Sequence, residues 1–154
     1  MEVCSRMQQQ DGITVAPPQS EKSGMTMEPN VLLIDDDEST SDTFRLILRR
    51  EGYAVRTARD AFDGLALVES TIPDAIVVDL RMPFVNGLGF LYRLRSRPEC
   101  RYIPVAVVTG DYWLEEDVLD AIADLGARVY FKPLDVDDLL TVAKVLIGTS
   151  RTKH

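Results

Sequence analysis

The sequence predicts an α/β fold: a doubly wound, five-stranded parallel sheet in the order 2-1-3-4-5, covered by five helices. Three observations carry this expectation. From residue 30 onward, short aliphatic runs alternate with stretches of helical periodicity, as in parallel strands buried on both faces and joined by crossover helices. Each run is bounded by Gly, Pro or Asp, and each helical stretch shows one apolar stripe. The length of 154 residues suits one domain with a hydrophobic core and is short for two.

The first strand is expected over 31–34, where "VLLI" runs into Asp35, Asp36 and Asp37. Its helix carries the stripe Phe44, Ile47 and Leu48, with Ser39 or Thr40 as the N-cap and Gly52 as the stop. Strand two is expected over 53–57, followed by a helix striped with Phe62, Leu65 and Ala66. Strand three (75–78) follows Pro73, and its helix enters at Asn86-Gly87 and buries Phe90, Leu91 and Leu94. Strand four (105–108) follows Pro104; its helix repeats Leu114, Val118, Ala121, Ile122 and Leu125 and stops at Gly126. Strand five (129–131) leads into a helix with Leu139, Val142, Ala143, Leu146 and Ile147, expected to fade near Gly148.

The domain is therefore bounded at 30–148, with a short tail over 149–154. Residues 1–29, with Gln8, Gln9, Gln10 and the Pro17-Pro18 pair, offer no periodic apolar face and are expected to be disordered. A net charge of -8 and a sequence pI near 4.6 argue against a nucleic-acid surface, which needs concentrated Lys and Arg. Cys4 and Cys100 make neither a disulfide framework nor a Cys-based metal site, which fits a reducing cytoplasm. No apolar run is long enough for a membrane span, and the N-terminus lacks a signal-peptide pattern.

The polar residues at the strand ends form a pattern. Strand one runs into Asp35 and Asp36, strand three into Asp79, strand four into Thr109 and strand five into Lys132. In the order 2-1-3-4-5 these are adjacent strands, and their carboxyl edge is where such sheets bind ligands. The order reverses between strands 1 and 3, so a crevice is expected with Asp36 on one side and Asp79 on the other. Taken singly, each residue has an ordinary structural role as a cap, a turn residue or an exposed lysine. Together, three carboxylates, a hydroxyl and an ammonium on four adjacent strand ends point to a site. Clustered carboxylates raise one another's pKa unless a cation compensates, and hard oxygen donors suit Mg2+.

The segments "VLLIDDDEST", "PDAIVVDLRMPFVNGLGF", "IPVAVVTG" and "FKPL" resemble, in order and spacing, the receiver domain of two-component response regulators. The likeness spans essentially all of 30–148. It implies the CheY-like, flavodoxin-type fold, with Asp79 as phosphoryl acceptor and Thr109 and Lys132 contacting the phosphoryl group. It also implies Mg2+ held by Asp35, Asp36, Asp79 and the backbone carbonyl of Arg81. The implied partner is a sensor histidine kinase or a histidine phosphotransfer protein in the cytoplasm, with dimerisation on phosphorylation a possible output. With only "TSRTKH" after Gly148, the chain reads as a stand-alone receiver that switches a protein contact or passes the phosphoryl group along a relay. The competing readings are a receiver-like adaptor that works without phosphorylation and an aspartate-nucleophile phosphohydrolase. The latter usually has a second acid where this chain has Arg81.

Departures from the family pattern are also legible. The interval from Gly126 to Lys132 is one residue short, so Val129 stands three before the lysine, where the family often has a switch aromatic. Tyr130 would point to the other face. Asn86 replaces a common acid and is an acceptable helix entry. Arg81 and Asp111 are expected to touch and partly cover the site, slowing loss of the phosphoryl group. Tyr112 and Trp113 are expected to pack over the start of the fourth helix.

Overall fold

The computed structural model describes residues 28–152. Five strands, β1 (Asn30–Ile34), β2 (Ala54–Ala58), β3 (Ala75–Asp79), β4 (Val105–Thr109) and β5 (Ala127–Phe131), form one sheet in the order β2-β1-β3-β4-β5. All pairs are parallel, as the predicted order requires. The register aligns Ile34 with Val78, Asp79 with Val108 and Thr109 with Phe131, so the carboxyl ends of adjacent strands finish close to one level.

The covering helices are α1 (Glu38–Arg50), α2 (Ala61–Ser70), α3 (Gly87–Arg95) and α4 (Glu116–Asp124), which cross between strands, and α5 (Val136–Thr152), which follows β5, with a 3-10 turn at Pro98–Cys100. Alternate residues of the central strands feed two core layers, as period-two side chains must. Leu32, Ile34, Ile76, Val78 and Val107 meet α2, α3 and α4 through Leu65, Phe90, Leu94 and Ile122. Val31, Leu33, Val77, Ala106 and Val108 meet α1 and α5 through Leu48, Leu139, Val142 and Leu146. Each such buried aliphatic or aromatic side chain contributes about 1.5–3 kcal/mol.

Local chemistry sets the helix ends. The side chain of Asp37, rather than Ser39 or Thr40, caps α1 by accepting from the Ser39 and Thr40 amides. At the other end Gly52 takes φ +95, and the Gly52 and Tyr53 amides donate back to Arg49 and Leu48, which closes the helix in a Schellman motif. Gly126 does the same service after α4 at φ +75. Helices α2 and α4 have no basic residue in their last turn. Arginines from other elements reach their carbonyls instead: Arg56 of β2 donates to Leu67 and Thr71, and Arg95 of α3 donates to Leu125 as well as to Cys100 in the 3-10 turn.

Two boundaries differ from expectation. β5 begins at Ala127, because the edge strand pairs Ala127 with Val105 before its aliphatic run starts. α5 continues through Gly148 to Thr152, since Leu146, Ile147 and Ser150 remain buried and outweigh the roughly 1 kcal/mol cost of an interior glycine. The expected tail over 149–154 is thus helical as far as Thr152; residues 153–154, and 1–27 of the expected N-terminal tail, lie outside the described residues. No helix among the described residues is long and apolar enough to cross a membrane.

Candidate functional site

Where β1, β3, β4 and β5 end, the expected side chains converge. Asp79 is the last residue of β3 and Thr109 the last of β4; Asp35 follows β1 directly and Lys132 follows β5. Asp35 and Asp79 are each 8% exposed, Thr109 is fully buried, and Asp36 is exposed at the mouth. Carboxylate oxygens of Asp35, Asp36 and Asp79 lie within 4.8 Å of one another. Lys132 Nζ stands 3.5 Å from Asp79 Oδ2 and 3.7 Å from Asp35 Oδ2.

The backbone holds these groups in place. The Asp37 amide donates to Asp35 Oδ1 at 2.9 Å, fixing the first carboxylate from its own loop. Thus the three consecutive acids divide: Asp35 and Asp36 face the crevice, while Asp37 is spent on the helix. The Lys132 amide donates to the Thr109 carbonyl at 2.8 Å, and the Asp111 amide donates to Thr109 Oγ1 at 3.0 Å. α3 is pressed against the acceptor strand at Gly87, whose amide donates to the Leu80 carbonyl at 2.8 Å. A Cβ at residue 87 would fall 2.7 Å from the Asp79 carbonyl oxygen, so only glycine permits this approach. Asn86 caps α3 by accepting from the Gly89 amide, the helix entry its sequence position promised.

Electrostatics follow from burial. Desolvation pushes the Asp79 carboxyl up to about 6; the Asp35 charge adds to the rise and the Lys132 ammonium opposes it. With three carboxylates against one ammonium, the ionised pocket is left two charges negative (3 − 1 = 2). That deficit matches a divalent cation. The donor chemistry also fits one: hard oxygens spaced within 4.8 Å are close to the roughly 4.2 Å across an octahedral Mg2+ shell. Below the carboxylates the core seals the site, leaving a void of only ≈ 10 Å³ lined by Ser41, Phe44, Val108 and others. A larger cleft of ≈ 450 Å³ lies at the amino edge beneath β4 and β5 and contains none of the predicted site residues.

A sequence profile of the response regulator receiver domain matches residues 31–144. The chain belongs to the receiver domain family. Receiver domains of two-component systems take a phosphoryl group from histidine kinases onto an aspartate in a magnesium-dependent reaction. The "DNA-binding dual master transcriptional regulator RpaA" of Synechocystis is 35% identical over 77% of this chain and 49% of its own length. Response regulator MprA of Mycobacterium bovis is 34% identical over 82% of this chain and 53% of its own. The chain therefore spans about half the length of these curated relatives. A CheY-like receiver domain protein of Methanospirillum hungatei superposes with a TM-score of 0.75 at 25% identity, covering 82% of this chain and 99% of that one. Vibrio cholerae CheY4 gives 0.72 at 25% identity over 77% and 98%.

Around this receiver site the structure settles three further expectations. Arg81 does donate to the Asp111 carboxylate, although Arg81 itself is 70% exposed. Val129, three before the lysine, packs into the α2–α3–α4 layer, and Tyr130 packs into the opposite layer, so neither face of β5 presents a free aromatic at that register. Tyr112 and Trp113 do not pack together over α4. Tyr112 stacks on Phe131 with centroids 5.4 Å apart and donates its hydroxyl to the Lys132 carbonyl, while Trp113 is 90% exposed. The Tyr112 ring finds apolar area at β5 that α4, with an acidic first turn, does not offer. Sequence reasoning missed Ser41, buried with its Oγ unpartnered beside the site, because one serine in an amphipathic helix carries no periodic signal.

Proposed function

We propose that Asp79 accepts a phosphoryl group from a phosphohistidine on a sensor histidine kinase or histidine phosphotransfer protein. The observation that carries this reading is a buried carboxylate with an ammonium 3.5 Å away and two further carboxylates beside it. An Asp79 oxygen attacks phosphorus in line; the O–P bond forms as the P–N bond breaks, and the imidazole leaves. Lys132 neutralises charge on the transferring oxygens, and the Thr109 hydroxyl turns from the Asp111 amide toward a phosphoryl oxygen. Asp35, Asp36, Asp79 and the Arg81 carbonyl would hold Mg2+, which when bound supplies charge neutralisation at the same oxygens. Water attacking the same phosphorus resets the switch.

The output is a changed protein-contact surface or onward passage of the phosphoryl group in the cytoplasm, with dimerisation one form the new surface could take. Movement of Thr109 carries the loop that bears Asp111 and Tyr112, the bistable element such a switch requires. DNA binding belongs to RpaA's own description, and the acidic charge of this chain argues against direct contact with nucleic acid. Incubation with acetyl phosphate and Mg2+ tests the reading. Intact mass should show one added phosphate on the wild type and none on Asp79→Asn; equal labelling of both, or of neither, overturns it.

A further inference from the structure

We infer that Phe84 and Trp113 form a docking rim for the protein that delivers the phosphoryl group, and that this donor meets the rim with a basic surface carrying apolar side chains. The inference rests on Asp79 being the phosphoacceptor. Phe84 is 91% and Trp113 90% exposed, so neither ring gains anything from folding. Phe84 also takes φ +70, a left-handed conformation that glycine or asparagine adopts with ease and phenylalanine does not. A bulky ring kept in an unfavourable backbone state and left in water is not explained by stability.

Their positions give the rings a use. Phe84 lies in the loop between β3 and α3, just past Asp79, and Trp113 in the loop between β4 and α4, just past Thr109. β3 and β4 are neighbours, and the Arg81–Asp111 contact ties the two loops to each other. The Trp113 amide also donates to Asp111 Oδ1 at 3.0 Å, which holds the base of the ring's loop. Asp79 is 8% exposed and closed from below by the core, so an incoming imidazole reaches it from the carboxyl edge, where both loops stand.

Charge names the kind of surface that fits. Four of the five helices that start at the carboxyl edge have an acidic first turn, α3 being the exception: Glu38 on α1, Asp63 on α2, Glu116 and Asp117 on α4, Asp137 and Asp138 on α5. The basic last turns, Arg49 and Arg50 on α1 and Arg93 and Arg95 on α3, lie at the far edge. A cationic donor surface is therefore drawn to the reactive end, and exposed aromatics are the usual energetic anchors of such contacts. A small donor such as acetyl phosphate needs neither feature.

The experiment compares Trp113→Ala, Phe84→Asn and the double variant with the wild type in the full chain. Asparagine removes the ring while accepting the positive φ. Donors are acetyl phosphate and purified, autophosphorylated histidine kinases from the same genome, the reference kinase being the one that labels the wild type fastest. Acetyl phosphate should label the variants within about twofold of the wild type, while kcat/KM for the kinase falls roughly tenfold or more, through KM. Wild-type transfer should also weaken with salt. Unchanged transfer to the double variant overturns the inference. So does an equal loss with both donors, which would place the rings in the chemistry, or acetyl phosphate labelling with no transfer from any kinase. Failure of acetyl phosphate to label wild-type Asp79 strikes the phosphoacceptor reading instead.

Discussion

Lys132 Nζ lies 3.5 Å from Asp79 Oδ2, a distance at which the ammonium stabilises the carboxylate without closing a tight hydrogen bond over it. The nucleophile thus has a nearby positive charge that does not lock it in a tight ion pair. In Lys132→Ala the carboxylates lose their neutralising partner, while any bound cation loses a competing positive charge. Labelling by acetyl phosphate should slow by about 10²-fold, and Mg2+ affinity should rise. Intact-mass time courses and a Mg2+ titration followed by Trp113 fluorescence check the two halves separately.

Burial raises the Asp79 carboxyl from 3.8 to about 6. Between these values the folded state binds more protons than the unfolded one, so this group lowers stability as pH rises from about 4 to about 6. In EDTA, the urea midpoint should fall across that window in the wild type, and Asp79→Asn should lack that component. Mg2+ requires the ionised form, so its affinity should drop as pH falls below about 6. A pH-independent affinity between 5 and 7 would contradict the assignment of Asp79 to the metal.

Arg81 donates to the Asp111 carboxylate, and the Asp111 amide in turn holds Thr109 Oγ1; the expectation that this pair shields the phosphoryl group from water can be tested directly. Removing the guanidinium in Arg81→Ala opens a path for water and loosens the Thr109 loop. Loss of the phosphoryl group should accelerate by about two- to fivefold, the modest scale of an exposed ion pair. Phosphate release from the purified phosphorylated protein reads this directly, and an unchanged rate removes the idea.

Gly87→Ala brings a methyl group 2.7 Å from the Asp79 carbonyl oxygen and 2.9 Å from Leu80 Cα, both backbone atoms that cannot swing away. Destabilisation of about 1–3 kcal/mol is expected, with slower labelling because β3 must shift. Gly64→Ala offers the contrast: its nearest contact, at 2.6 Å, is the terminal Cδ1 of Ile34, which can rotate. Urea unfolding of the two variants should rank Gly87→Ala as the more damaging.

The parallel strands were legible because burial on both faces writes them as continuous aliphatic runs; β1, β3 and β4 fall within a residue of expectation. The strand-end carboxylates, Thr109 and Lys132 could be placed because a doubly wound sheet puts all such ends on one edge. What failed were choices between near-equal local options. Asp37 outcompeted Ser39 and Thr40 as a cap, three residue types of similar preference. Gly148 looked like a stop, yet the burial of its neighbours on α5 decided otherwise. Trp113 could not be read as exposed, since an aromatic near a helix start gives no sign of which surface it meets.

Arg56 and Arg95 give the molecule a stiff foundation. Arg56 grips two carbonyls at the end of α2, and Arg95 grips one at the end of α4 and one in the 3-10 turn, so α2 is bolted to β2 and α4 to α3 at the end remote from Asp79. The loops around the acceptor are joined to one another by exposed side-chain hydrogen bonds instead, Arg81 to Asp111 and Tyr112 to Lys132. Mechanical compliance is thereby confined to one pole, and a chemical event there can reshape the surface without disturbing the base on which the whole structure stands.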